Sequence, residues 1–325
     1  MKKYVGLDIG GTSVKYGLVD ENGVVTNKDH FETNVDDKDE LLSDLVAAVK
    51  EIQAIEPVEG IGVSMPGVVQ ADGFLTTSGA VKCFTEINLA QLLEEKTDLP
   101  AKIENDANAA AIAEKWIGSA QGIHDYIGLV LGTGVGGALI VNDQIYRGAH
   151  ARSGEFGWMI VEDDDVDVEM GTLNFRGATV IGLIRRYNQF SEDEVDDARK
   201  IFQRADDGEV LAQNVLKSYY RSLAKGIINL EVAFDPAVVI IGGGISNNTE
   251  FMDNLNKTIK EIQAVHNSIN NLQLPEVKAA KLKNDAGMIG AVYQLIHAYN
   301  LLCCKKHVTP KKIINRIAFS RNMVM

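Results

Sequence analysis

The sequence predicts an α/β protein of two lobes, in which helices cover central sheets and a cleft separates the lobes. Two observations lead to this prediction. A β-run, a glycine turn and a second β-run occupy residues 4–20, and the same pattern returns at residues 126–141. Each copy is followed by alternating strand and helix signals, which are typical of mainly parallel sheets. Two copies of one unit indicate two lobes.

The elements after each hairpin follow from the spacing of apolar residues. In the first half we expect helices over 41–55 and from Asp106 to about Ile117, a buried strand that leads from Ile61 into a Pro-Gly turn, and a short strand over 101–104. In the second half we expect a long helix over 211–232, an uninterrupted apolar strand over 237–241 and a final helix over 286–302.

Composition limits the classes of function. The chain has 325 residues, of which 46% are hydrophobic and 24% charged, an ordinary globular balance. A net charge of −13 disfavours nucleic acid and anionic membranes as partners. Cys83, Cys303 and Cys304 form no CxxC pair, and no leader or membrane-length apolar stretch is evident. We therefore expect a soluble, cytoplasmic protein with reduced thiols.

The last 25 residues differ in composition from the rest of the chain. They contain no acidic residue, and we interpret them as a peripheral extension, with a functional arm as the alternative. Their six basic residues are Lys305, Lys306, Lys311, Lys312, Arg316 and Arg321.

The first glycine turn predicts an anion site. Gly10 and Gly11 permit positive φ and remove the Cβ atoms, so that amide groups can converge on an anion, while Thr12 adds a hydroxyl donor and Lys15 could add charge. Asp8 ends the preceding strand, where a carboxylate can hold hydrated Mg²⁺. Taken alone, the segment is equally consistent with a tight hairpin turn and an incidental aspartate.

Two further glycine runs strengthen the interpretation. The second run, over residues 132–137, is followed by a β-run and not by a helix, so it is not a dinucleotide fingerprint. It has no Gly-Lys-Ser/Thr, so it is not a Walker A motif. Two similar turns in two halves favour phosphate binding. The third run follows a buried strand and could accept a purine, or could serve only close packing. The residues concerned are Gly132, Thr133, Gly134, Gly136 and Gly137 in the second run, and Gly242, Gly243 and Gly244 in the third.

In these three glycine runs the chain resembles the ROK family of sugar kinases and sugar-responsive repressors, over roughly residues 3–300. The resemblance implies the two-lobed actin/hexokinase/Hsp70-like ATPase fold with an interlobe cleft, and ATP and Mg²⁺ as cofactors. A homodimer is also implied. We expect an N-terminal lobe of residues 1–118 plus 286–302, a C-terminal lobe of 119–285, a hinge near residues 117–120, and a tail of 303–325.

Asp106 is the predicted catalytic base. It lies between a strand and a helix, where it could cap the helix or face the cleft and accept the proton of a sugar hydroxyl. The phosphate turns, and the match of Asn105-Asp106 to the family's catalytic motif, favour the base.

The resemblance also implies a sugar pocket. Glu155 would accept hydrogen bonds from sugar hydroxyls, Asn105 and Asp106 would grip the sugar's 4- and 6-hydroxyl region, and Ser64 and Gly67 would line the pocket. Trp158 stands where many family members have His, and no cysteine-rich zinc loop follows. We therefore expect no zinc, a solvated acidic run over residues 162–169, and an altered or bulkier sugar.

The expected reaction is transfer of the γ-phosphate of ATP to the 6-hydroxyl of a hexose or hexose derivative, such as glucose, N-acetylmannosamine or a β-glucoside. One alternative is a sugar-responsive regulator of the same family that lacks its DNA-binding domain, for which we expect no room before Asp8. The other is a sugar-independent actin-like ATPase.

Overall fold

The computed structural model describes residues 1–163 and 167–306. The described chain forms two compact units, one of residues 1–116 together with the segment from Asn284 onward, and one of Ile117–Lys283. Most of the basic tail, from residue 307 onward, lies outside the described residues. Within them, no helix has the length and apolar character that a membrane span requires.

The first unit contains one large sheet, one small sheet and four helices among its described residues. Its strands are β1 Lys3–Ile9, β2 Ser13–Asp20, β3 Val25–Glu32, β4 Ile61–Met65, β5 Phe74–Leu75, β6 Ile87–Asn88 and β7 Ala101–Asn105. Its helices are α1 Lys38–Ile55, α2 Leu89–Thr97, α3 Asp106–Ile117 and α9 Ala286–Lys306, the last of which ends the described chain.

The second unit contains a five-stranded sheet and a set of helices. Its strands are β8 Tyr126–Leu131, β9 Val135–Val141, β10 Gln144–Ile145, β11 Val238–Gly242 and β12 Glu276–Ala279. Its helices are α4 Leu173–Gly177, α5 Arg185–Asn188, α6 Ala198–Asp206, α7 Val210–Phe234 and α8 Thr249–Val265, with a π-helical turn over Thr179–Ile184.

The two large sheets have the same topology. The first has the order β3-β2-β1-β4-β7 and the second β10-β9-β8-β11-β12, so that an antiparallel hairpin is followed by parallel strands in both. The repeat seen in the sequence is therefore a repeat of structure. The expectation of mainly parallel sheets is wrong in detail, because only two of the four pairings in each sheet are parallel.

Helix α9 packs closely on the sheet of the first unit because glycines remove side chains from the contact. A Cβ atom on Gly6 would meet the Met288 side chain at 2.9 Å, and one on Gly62 would meet the Val292 amide nitrogen at 2.5 Å. On the helix itself, Gly290 lies against the Ala109 backbone of α3. These contacts bring the first turn of α9 to the edge of the sheet where β1 ends.

Candidate active site

The first unit gathers polar side chains at one edge of its sheet. Strands β1, β4 and β7 are parallel, so their carboxyl ends meet, and the register places Asp8 beside Ser64 and Met65 beside Asn105. Asp106 follows immediately as the first residue of α3. We call Asp8, Ser64, Asn105 and Asp106 the carboxylate cluster.

Asp8 is held by a neighbour on the adjacent strand. The Ser64 hydroxyl donates to Asp8 Oδ1 at 2.7 Å, and Lys15 lies directly opposite Asp8 on β2. Burial raises the pKa of Asp8 and the Asp285 carboxylate raises it further, whereas Ser64 and Lys15 lower it. Ser64 is fully buried and is committed to Asp8, so its position does not support its predicted place in the lining of the sugar pocket.

Helix α3 is capped by Asn105 and not by Asp106. The side-chain oxygen of Asn105 accepts from the amide of Asn108 at 3.1 Å, which is the N-cap hydrogen bond. The competition between a capping and a catalytic role for Asp106 therefore does not arise. Asp106 has its carboxylate at the first turn of a helix, where the backbone amides favour negative charge.

The Asp106 carboxylate is fixed through one of its two oxygens. Oδ1 accepts from the Ala107 amide at 2.8 Å and from Asn105 Nδ2 at 3.1 Å, and no hydrogen bond to Oδ2 is formed by any residue that the structure describes. The surrounding protein raises the pKa of Asp106 by desolvation, and the Asp8 carboxylate also raises it, whereas these two hydrogen bonds lower it. Since the residue is solvent-exposed, water still reaches the carboxylate. An exposed, oriented carboxylate of raised pKa suits proton transfer.

The first glycine turn is tight, and its tip carries unused donors. The Gly10 amide donates across the turn to the Ser13 carbonyl at 3.0 Å. The amides of Gly11 and Thr12 donate to nothing among the described residues, and both residues are exposed. Of the two reasons expected for these glycines, positive φ is wrong, since neither lies in the left-handed region. At Gly11 the cause is space, because a Cβ would lie 2.7 Å from Ala80 Cβ.

The second glycine turn lies between β8 and β9 and is anchored from outside. The Gly132 carbonyl accepts from the amides of Thr179 and Val180 at 3.1 and 3.2 Å, and the Thr133 carbonyl accepts from Ile181 at 3.2 Å. Thr133, at the tip of the turn, is exposed. A Cβ atom on Gly132 would have no described atom within 4 Å. None of the glycines in this turn has a left-handed φ, so positive φ does not explain them either.

The third glycine run lies beside the second turn. Strands β8 and β11 are parallel, with Gly242 paired to Val130, so both runs leave the same edge of the sheet. Gly243 has a φ of +93° and abuts the Leu131 backbone, so it requires glycine, whereas Gly244 faces open space among the described residues. We call the segments 132–137 and 242–244 together the glycine edge.

The loop that carries Glu155 rests on the start of β9. Gly154, with a φ of +101°, abuts the Gly137 backbone, and a Cβ on Gly157 would lie 2.5 Å from the Val135 carbonyl oxygen. The structure thus brings the predicted sugar ligand Glu155 next to the second glycine turn. Trp158, at the end of this loop, is 57% exposed.

The acidic run after this loop is not uniformly solvated, which corrects the prediction for its first residue. Glu162 accepts from Lys225 Nζ at 2.8 Å and from the Ser222 hydroxyl at 3.0 Å, and both partners lie on α7. Burial raises the pKa of Glu162, but these two hydrogen bonds and the charges of Lys225 and Arg176 together outweigh burial, and its pKa is lowered. Residues 164–166 lie outside the described chain. Within it, no three His, Cys, Asp or Glu side chains are grouped so as to hold a metal ion.

Three residues at these sites were missed by the sequence analysis. Gly287, in the first turn of α9, lies beneath the Asp8–Ser64 pair, since a Cβ there would lie 2.8 Å from Ser64 Oγ. Asp285 contributes charge at Asp8, and Asn174 Oδ1 accepts from the Val135 amide at 2.7 Å. The small residues Gly287 and Gly290, three positions apart in an apolar helix, were a signal of close packing.

Comparisons with known proteins agree over almost the whole chain. The ROK family model matches residues 4–298. A β-glucoside kinase of Listeria monocytogenes is 34% identical over 303 residues, which cover 92% of this chain and 99% of the relative.

Solved structures give the same result. A ROK family protein from Streptococcus pneumoniae, in complex with sucrose, aligns with a TM-score of 0.83 and 27% identity over 92% of this chain and 99% of that chain. A ROK family glucokinase from Streptomyces griseus, in complex with glucose and AMPPNP, aligns with a TM-score of 0.76 and 27% identity over 90% and 98% of the two chains.

Proposed function

The chain belongs to the ROK family, and from that premise we propose that this ATP-dependent sugar kinase acts on a β-glucoside and phosphorylates its 6-hydroxyl. The predicted actin/hexokinase-like ATPase fold and the predicted sugar phosphotransferase activity are confirmed by the relatives and by the alignment with the glucokinase structure. The kinase is thereby favoured over the regulator and over the sugar-independent ATPase.

The observation that carries the proposed chemistry is the orientation of Asp106. With Oδ1 held by two hydrogen bonds, Oδ2 is the atom that accepts the proton of the sugar hydroxyl. The hydroxyl oxygen forms a bond to the γ-phosphorus as the bond from that phosphorus to the β,γ-bridging oxygen breaks, so that ADP leaves. The proton passes from Asp106 to solvent. The carboxylate must therefore be ionised for each turnover.

The carboxylate cluster fits a divalent cation as well. The Asp285 carboxylate raises the pKa of Asp8, and Lys15, opposite Asp8 on β2, lowers it. We propose that Asp8 holds Mg²⁺ through water, where the ion would neutralise phosphate charge.

The glycine turns supply the proposed contacts to ATP. The exposed amides of Gly11 and Thr12 in the first unit, and the exposed tip at Thr133 in the second, are donors suited to phosphate oxygens. Open space adjoins Gly132 and Gly244, and a side chain at either position would occupy room that we assign to ATP. We place the purine over residues 242–244, with Lys15 and the remaining glycines of both turns in supporting positions.

The proposed sugar site combines Glu155 with the exposed indole of Trp158. Asn105 and Asp106 bind the reacting end of the sugar, Glu155 accepts from other ring hydroxyls, and Gly67 fixes Asn105 through its carbonyl. Trp158 is 57% exposed at the end of the Glu155 loop, and a second sugar ring has an apolar face that would stack on its indole. The named β-glucoside kinases among the relatives support the same substrate.

The remaining expectations are proposals of the same kind. We propose a cytoplasmic homodimer without a zinc site, with an N-terminal lobe of residues 1–118 plus 286–302 and a C-terminal lobe of residues 119–285.

A coupled ADP-release assay with purified full-length protein and Mg²⁺-ATP tests the substrate. Glucose, mannose, fructose, N-acetylmannosamine, N-acetylglucosamine and cellobiose are compared at equal concentrations, and the phosphorylated carbon is located by phosphorus–carbon coupling in the NMR spectrum of the product. We expect kcat/KM for cellobiose to exceed that for glucose by on the order of tenfold, a difference of about 1.4 kcal/mol. A preference for a monosaccharide contradicts the β-glucoside, and ADP release that is equal without sugar contradicts the kinase.

A further inference from the structure

Two buried polar side chains lie behind the carboxylate cluster and take no part in the proposed reaction. Glu104, the residue before Asn105 on β7, has no exposed surface, and Asn108, in the first turn of α3, is 8% exposed. Glu104 is paired with Ser64 on the neighbouring strand β4, and Ser64 is paired with Asp8 on β1. A carboxylate in such a position is costly unless hydrogen bonds satisfy it.

Glu104 accepts hydrogen bonds from residues on both sides of Asp106. Its Oε1 accepts from the Asn105 amide at 3.0 Å and from Asn108 Nδ2 at 3.1 Å. One oxygen atom thus ties the end of the strand to the first turn of the helix. Glu104 therefore holds the backbone amide of Asn105 on one side of Asp106 and the side chain of Asn108 on the other.

Asn108 passes this constraint to the Asn105 side chain. Its backbone amide donates to Asn105 Oδ1 at 3.1 Å, which leaves Asn105 Nδ2 to donate to the Gly67 carbonyl at 3.0 Å and to Asp106 Oδ1 at 3.1 Å. With the oxygen of Asn105 engaged by the helix, the orientation of its amide group is determined. The donor therefore points to Asp106.

We propose that Glu104 and Asn108 are positioning residues for the phosphoryl transfer, which hold Asn105 so that Asp106 presents Oδ2 to the sugar hydroxyl. The inference rests on the proposed function, in which Asp106 is the base. It goes beyond that function because it assigns a catalytic consequence to two residues that do not touch the substrate. Their effect is transmitted through three successive hydrogen bonds.

The alternative is that the two residues only stabilise the fold, and a second buried carboxyl group provides the comparison. Glu114 is 2% exposed and lies on the same helix as Asn108. A merely structural role predicts that Glu104, Asn108 and Glu114 variants lose thermal stability and active fraction, without change in the pH profile of the molecules that remain folded.

The test measures steady-state kinetics of full-length variants and of the wild type, well below each melting temperature. The variants are Asn108→Ala, Glu104→Gln, Glu104→Ala, Glu114→Gln and Asp106→Asn. We expect Asn108→Ala and Glu104→Ala to lower kcat by roughly 10–100-fold with KM for ATP unchanged. Glu104→Gln keeps an oxygen acceptor and is expected to stay within about threefold of the wild type. Glu114→Gln is expected to keep the wild-type kcat.

The pH profile separates positioning from stability. The hydrogen bond from Asn105 favours the ionised form of Asp106. Neither Asn108→Ala nor Glu104→Ala removes a partner of that bond, but both lose the hydrogen bond from Asn108 Nδ2 to Glu104, and the weaker hold on Asn105 should move the acid limb of kcat/KM to higher pH. If Glu104→Ala does not fold, Asn108→Ala carries the test alone. Wild-type kcat and an unmoved acid limb in folded Asn108→Ala, with Asp106→Asn inactive, overturn the positioning role and leave the proposed function intact. An active Asp106→Asn overturns the proposed function itself.

Discussion

The carboxylate cluster and the glycine edge are built from different kinds of atoms. In the cluster, side chains hold one another, since Ser64 donates to Asp8 and Asn105 donates to Asp106. At the glycine edge the backbone forms the site, and open space remains at Gly132 and Gly244. A proton acceptor requires a carboxylate of fixed orientation, whereas a triphosphate requires amide donors and room for its oxygens. The two sites therefore tolerate different changes.

The two units also differ in how their buried carboxylates are hydrogen-bonded. Glu104, in the first unit, has two hydrogen bonds to one oxygen. Glu231, on α7 of the second unit, is 3% exposed, and neither of its carboxylate oxygens has a hydrogen-bond partner among the described residues.

The largest effect is expected at the proposed base. Asp106→Asn removes the proton acceptor and keeps the shape, so kcat should fall by roughly 10²–10⁴-fold while the Kd for ATP, measured by calorimetry, stays within about twofold. Because desolvation and Asp8 raise the pKa of Asp106, wild-type activity should fall with decreasing pH at a value above the ordinary range for aspartate. Asp36→Asn, an exposed site in the same unit, serves as the control. Turnover of Asp106→Asn within tenfold of the wild type contradicts the assignment.

Glu231 tests the cost of a buried carboxyl group that has no hydrogen-bond partner among the described residues. Burial raises its pKa from 4.5 to about 7, so the folded state holds this proton more tightly than the unfolded state. Its contribution to the free energy of unfolding is therefore full below pH 4.5 and is lost as the pH rises to 7.

Glu231→Gln removes this pH dependence. At pH 8 the variant should be more stable than the wild type by up to about 3 kcal/mol, and at pH 4.5 the two should be similar, as measured by urea unfolding across this range. Glu192→Gln, at an exposed position of the same unit, should change neither value. A difference between wild type and Glu231→Gln that does not vary with pH would show that the carboxyl group has a partner.

Two glycines of one turn should respond in opposite ways to the same substitution. Gly137→Ala drives a Cβ into the Phe156 ring and the Gly154 carbonyl and should cost about 1–3 kcal/mol of stability. Gly132→Ala meets no described atom within 4 Å, so its Tm should be unchanged, while its affinity for ATP should fall by on the order of tenfold. Thermal unfolding with and without ATP measures both. Unchanged ATP affinity in Gly132→Ala contradicts the phosphate contact.

The smallest effect is expected at Trp158. Trp158→Ala should raise KM for cellobiose by about three- to tenfold and leave KM for glucose unchanged, because only the second ring would rest on the indole. Stability should change by less than about 0.5 kcal/mol, as is usual for an exposed side chain. Phe190→Ala, at a side chain that is 63% exposed, is the control for loss of surface apolar area. An equal rise in KM for both sugars contradicts the second-ring platform.

The sequence by itself determined the repeat, the element types and the chemical nature of the sites. Glycine turns after apolar β-runs are local signals, and so is the start of α3 at Asp106, which the structure confirms. The family resemblance, confirmed across residues 4–298, added the kinase activity. These properties could be predicted because each depends on residues close together in the chain.

Only the tertiary structure decided which side chains touch. The pairing of Ser64 with Asp8, the packing of Gly287 beneath them and the ion pair of Glu162 with Lys225 join residues that are 56 or more positions apart. Asn105 caps the helix in place of Asp106 because its oxygen reaches the Asn108 amide, a choice between adjacent residues that only geometry makes. The glycine turns were predicted correctly as turns, but among their glycines positive φ explains only Gly243. Gly11 and Gly137 are required by close packing against Ala80 and Phe156, and no local pattern of residues encodes such contacts.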